Sequence, residues 1–126
     1  MRVFKNNWFR KFAAKETMTD AMLCDAIARA QRGLIDADLG GGVIKQRIAR
    51  QGAGRSGGYR TIIFFKIETR AVFAFGFAKH AMANIDTHDE RLLKATAKLT
   101  LGLSDGDMDR LVEKNEFEEV FCNAEI

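Results

Sequence analysis

Apolar residues recur at helical spacing over the first thirty-odd positions and at alternating spacing from Val43 onward, so the chain changes from helix to strand near its first third. Trp8, Phe9, Phe12 and Ala13 form one helical stripe, and Leu23, Ile27, Ala30 and Leu34 form a second. Thr19 ahead of Asp20 is an N-cap for the second helix, and Gly33 is its stop. From Val43 the period is two: Lys45 and Arg47 share one strand face, while Ile44, Gln46 and Ile48 share the other. A β-branched and aromatic run follows from Tyr59 to Lys66, and another from Ala71 to Phe77 places aromatics at 73, 75 and 77. Glu68-Thr69 is the turn between them. Connections this short favour antiparallel pairing, since a parallel return needs a crossover of about a dozen residues.

Past Lys79 the sequence is polar until Thr87-His-Asp-Glu90, a capping-box pattern opening a helix with Leu92, Leu93, Thr96 and Leu99 facing inward. Ser104 caps a further helix through Leu111 and Val112, and Phe117 to Phe121 reads as an edge strand or a docking tail. The expected fold is therefore α+β: two N-terminal helices packed on a small antiparallel sheet, a meander of about three to four strands, followed by C-terminal helices.

With 126 residues, 47% of them hydrophobic, the chain is expected to form one domain over 1–126, and no repeat divides it. No apolar run reaches the roughly 18 residues that span a bilayer, so a soluble cytoplasmic protein with no membrane partner is expected. Cys24 and Cys122 match neither a redox pair nor a zinc spacing and read as small buried hydrophobes.

Charge changes the picture most. Residues 41–80 hold eight Lys or Arg against one acid, Glu68, a net of +7 in a chain whose total is +3, while residues 81–126 carry eleven acids and five bases. Such a block needs a local explanation, and cations on strands flanking the glycine stretch Gly52 to Gly58 fit a polyanion. Lys and Arg that merely guard a sheet edge account for part of it. RNA phosphates are the expected ligand, met by Lys45, Arg47, Arg50, Arg55, Arg60 and Lys79, with Tyr59 offering a face for a base.

The block contains no Asp, no Cys and one His, so it has no carboxylate cluster for Mg²⁺, and no metal or other cofactor is expected. RNA permits metal-free cleavage because its own 2′-OH attacks the adjacent phosphate. Arginine suits the charged intermediate by binding two phosphoryl oxygens at once. His80, with a reference pKa of about 6.5, suits proton transfer, whereas His88 falls in the first turn of a capped helix and is read as structural. The glycine stretch is neither a Walker loop nor a dinucleotide fingerprint and reads as a mobile hairpin connection.

Ile44-Lys-Gln-Arg47, the RSGGYR run ending at Arg60 and the FGFAKHAMANI run ending at Ile85 resemble RelE/ParE-superfamily toxins of type II toxin–antitoxin systems, on the RelE-like branch. The resemblance covers most of residues 1–100, with 101–126 as a C-terminal extension. It implies a RelE-like domain, an mRNA endonuclease working on the ribosome, and a cognate antitoxin. Carried over by position, Lys45 and Arg47 match a pair of basic catalytic groups, Arg60 matches a phosphate-stabilising arginine, and Lys79 matches a lysine. His80 stands where an arginine is common and Asp86 near the place of a functional tyrosine. Arg47 replaces a second lysine, and Tyr59 is the chain's one tyrosine, so proton transfer falls to His80. The alternatives are a ParE-type toxin that inhibits a topoisomerase without catalysis, and a non-toxic RNA- or protein-binding module.

Overall fold

A computed structural model describes residues 1–50, 54–78 and 87–122. The chain opens with a strand, β1 (Arg2–Asn6), and continues through helices α1 (Asn7–Lys15) and α2 (Asp20–Gln31). Strands β2 (Ala37–Gly40), β3 (Val43–Arg50), β4 (Gly54–Lys66) and β5 (Arg70–Ala78) follow, then helices α3 (Thr87–Leu101) and α4 (Asp105–Glu113) and strand β6 (Phe117–Val120). The sheet has six strands in the order β2-β3-β4-β5-β1-β6. It is mixed, because β1 runs parallel to β5 and antiparallel to β6.

This corrects the expected fold of two N-terminal helices on a three- to four-stranded antiparallel meander. The difference begins with Arg2–Asn6, too short and too charged to show a clear period. In the fold it is held from both sides: Val3 and Phe4 are fully buried and Lys5 nearly so. The parallel return to β5 is the long crossover that local sequence spacing could not reveal.

Helices cover both faces of the sheet. On one face, α1 and α2 bury Phe9, Leu23 and Ile27 against Ile44, Ile48, Ile63 and Phe73. On the other, α3 and α4 bury Ala97 and Met108 against Phe4, Val43, Phe64 and Val72. Thr19 and Ser104 cap α2 and α4 by accepting the backbone N–H groups of Met22 and Asp107. In α3 the inward residues are Leu93, Ala97, Thr100 and Leu101, so the expected inward face is rotated: Leu92 and Leu99 are exposed. Gly40, Gly41 and Gly42 all have positive φ, the left-handed conformation glycine adopts without a Cβ clash, and they turn β2 into β3.

Two further features fix the frame. Gln46 is fully buried on the α2 face; its Nε2 donates to the carbonyls of Ala26 (3.0 Å) and Leu34 (3.1 Å), and its Oε1 accepts from the Asp36 N–H (2.8 Å). Arg70, also buried, donates to the Thr100 and Leu103 carbonyls and pairs with Asp105, tying the α3–α4 junction to β5. It is thus a structural member of the basic block.

Cys24 and Cys122 form a disulfide with Cα atoms 5.8 Å apart, which corrects their reading as separate buried hydrophobes. Pairing of β6 with β1 carries Cys122 back to α2 across 98 residues, a proximity created by topology and invisible to spacing rules. The bond persists in oxidising surroundings and opens to two thiols in reducing ones. The acidic C-terminal block packs by charge as well: Arg2 binds Glu119 through two hydrogen bonds and also reaches Asp109, while Lys5 lies between Asp20 and Glu118. Hydrogen bonds to Glu119 first, and then to Asp109, push the Arg2 guanidinium pKa above its ordinary value.

Closing so long a loop restricts the unfolded chain, so Cys24→Ser is expected to lower stability by about 4 kcal/mol in urea titrations without reductant. With reductant, parent and variant converge. Gln46→Leu strands two carbonyls and one N–H inside the protein and is expected to cost about 3 kcal/mol in the same titration.

Candidate functional site: a cationic row on the sheet

In antiparallel strands, residues directly opposite share a face. Arg47 lies opposite Arg60, and Lys45 opposite Ile62. Lys45, Arg47 and Arg60 therefore project from one face, the side opposite Gln46, as the alternation in β3 requires. The row continues onto β5, where Arg60 faces Phe77 and Ile62 faces Phe75. Arg47 is exposed, and Lys45 and Arg60 are half-buried.

The geometry is electrostatically costly. Like charges opposite one another across two strands repel, and no acid among the described residues bridges Arg47 and Arg60. Arg29 donates to the Arg47 carbonyl at 2.6 Å and Asp36 accepts the Arg47 N–H at 2.7 Å, so the Arg47 backbone is held from the edge while its guanidinium projects from the face. The Arg60 Nη1 is buried without a hydrogen-bond partner among the described residues. A buried, unpaired guanidinium nitrogen is costly to leave unsatisfied and fits an anion delivered from outside.

A bulge sets the aromatic surroundings. Strict alternation would put Phe73, Phe75 and Phe77 on one face, but the register shifts between Ile62 and Ile63. Phe73 therefore packs on Phe9 at 5.0 Å on the α1 side, while Phe75 and Phe77 sit on the cation face, 6.1 Å apart. Beyond β1 the edge of β5 is covered by Trp8, which packs on Phe75 at 4.3 Å and on Phe12 at 5.2 Å. Gly76 makes the Phe12 approach feasible, since a Cβ there would lie 2.6 Å from the ring.

Tyr59 does not belong to this face. It is buried on the α1 side, donates its hydroxyl to Glu16 at 2.8 Å and meets Phe12 edge-on, so the expected base-stacking role is withdrawn. Of the glycine stretch read as a hairpin connection, Gly54 to Gly58 belong to β4, and residues 51–53 lie outside the described residues. Lys79, His80 and Asp86 lie outside the described residues, as do the side chains of Arg50, Arg55 and His88. Sequence reasoning missed the buried Arg60 Nη1 and the Trp8–Phe75 pair, neither of which residue order marks. Among the described residues, no three His, Cys, Asp or Glu side chains are grouped so as to hold a metal ion.

The family model of the RelE toxin of the RelE / RelB toxin–antitoxin system matches residues 1–120. The chain belongs to the RelE toxin family. The match to this toxin family includes α4 and β6 as well as the central sheet, and it implies a cognate antitoxin as partner. No curated protein matches the toxin. Among the described residues, no helix is long and apolar enough to cross a membrane.

If the arginine pair is kept for a ligand at the expense of the fold, Arg47→Thr relieves repulsion. Its stability in urea is expected to rise by about 0.5 kcal/mol. A decrease would mean that the toxin itself neutralises the pair.

Proposed function

We propose that this RelE-family toxin is a metal-independent, ribosome-dependent mRNA endonuclease that halts translation in the cytoplasm. The observation that supports it most is the Arg47–Arg60 pair, with Lys45 on the same face and one Arg60 nitrogen buried and without a partner among the described residues. Two adjacent guanidinium forks suit a phosphodiester, whose oxygens accept several hydrogen bonds at once.

In this chemistry the 2′-oxygen attacks the adjacent phosphorus, its proton leaves to a base, and the bond to the 5′-oxygen breaks as that oxygen gains a proton. A 2′,3′-cyclic phosphate and a 5′-hydroxyl result. Arg47 and Arg60 neutralise the charge that builds on the equatorial oxygens, Lys45 holds the flanking phosphate, and His80 carries the proton. Arg50, Arg55 and Lys79 add further phosphate contacts. The antitoxin counters the toxin by covering this cationic face with a segment of opposite charge.

Induced alone, the toxin is expected to arrest growth and cut mRNA at mapped sites, while Arg47→Ala/Arg60→Ala keeps its thermal transition and leaves mRNA intact. Loss of two phosphate contacts also lowers the slope of log affinity against log salt for single-stranded RNA by about 1.4. Undiminished cleavage by the double variant overturns the site. Growth arrest with intact mRNA and blocked DNA supercoiling overturns the nuclease in favour of a ParE-type toxin.

A further inference from the structure

The cation face runs on into a groove that phosphate contacts leave unused. It has a volume of about 360 Å³ and lies between the β4–β5 surface and α3, with Phe64, Ala74 and Phe75 as its floor and Leu92 and Leu93 as its wall. Trp8, 44% exposed, packs on the floor residue Phe75 from outside the groove, and Leu92 is 62% exposed. Apolar surface gathered in a concave place and left in contact with water is the usual form of a ligand subsite.

Position and charge decide the occupant. Phe75 stands opposite Ile62, one alternation, or about 7 Å, along β4 from Arg60. A phosphodiester seated on Arg47 and Arg60 carries its own sugar and base, and such a step is within the reach of that base. The two uncharged polar side chains lining the groove, Asn6 and Thr96, are already engaged. The Asn6 side chain accepts from the Phe9 N–H and donates to the Ala74 carbonyl, Thr96 donates to the Leu92 carbonyl, and Asp89 also has a partner. The site therefore holds a ring by its faces and reads little of its edges.

We propose that this groove takes one unpaired nucleobase of the RNA strand whose phosphate lies on Arg47 and Arg60, packing it against Phe75 and Leu92, with purines preferred for their larger area. This rests on the RNA reading of the cationic row, and its test separates the two. Trp8 is the single tryptophan of the chain and reports on Phe75 through their ring contact.

The full-length toxin is titrated with an uncleavable 2′-O-methyl adenine pentamer and with the same pentamer abasic at its centre, following Trp8 emission. The intact probe is expected to change that emission saturably and to bind about five- to a hundredfold more tightly than the abasic one. Leu92→Gln, at an exposed position, is expected to erase the difference while leaving abasic binding unchanged. Equal affinities with constant Trp8 emission overturn the base site and leave the phosphate row standing; binding of neither probe overturns both. A Trp8 response to an acidic amphipathic helical peptide with none to RNA assigns the groove to a protein partner and also overturns it.

Discussion

A single buried amide decides which way the positive charges point. Gln46, held by two carbonyls and one N–H from α2 and the segment after it, locks β3 with its even-numbered residues toward α2. The alternation of a strand then leaves Lys45 and Arg47 no choice but the opposite face. A slip of one residue would drive both cations into the α2 core and strand the amide among apolar groups. The cationic row is thus a consequence of packing on the far side of the sheet, transmitted through one strand.

From that constraint the rest of the site assembles by register. Pairing of β3 with β4 sets Arg60 against Arg47, and pairing of β4 with β5 adds Phe77 and, after the bulge, Phe75. The acidic C-terminal block is partly spent elsewhere. Asp105, Asp109, Glu118 and Glu119 engage Arg2, Lys5 and Arg70, binding α4 and β6 to the sheet. Among the described residues, no ion pair involves Lys45, Arg47 or Arg60. The fold thereby separates its charges, neutralising one group of cations internally and presenting another.

What was legible in the chain was whatever a local period can encode. Phe9 and Ala13 of α1, Leu23, Ile27 and Ala30 of α2, the shared face of Lys45 and Arg47, and the caps at Thr19 and Ser104 are all set by residues within a few positions of each other, whereas Leu34, expected in the α2 stripe, lies beyond the helix end and is exposed, as is Trp8 of the α1 stripe. What was not legible depends on distant segments meeting. The first strand acquires its identity only between β5 and β6, the cysteines pair only because β6 returns to β1, and the bulge moves Phe73 away from its two neighbours. Tyr59 illustrates the same limit: its position after a glycine run suggested an accessible ring, and Glu16 and Phe12, 43 and 47 residues earlier in number, enclose it. In α3 the period was legible but its phase was not, since leucines lie on both sides of the helix.

The cationic row acts as a phosphate site only if the two facing guanidinium groups meet the same phosphodiester. NMR of the arginine Nε–Hε signals during titration with a short uncleavable RNA observes this directly. The prediction is that the Arg47 and Arg60 signals shift together along one saturable curve, with the structurally engaged Arg70 unmoved. Shifts confined to other arginines, with the signals of Arg47 and Arg60 constant at saturation, would contradict it.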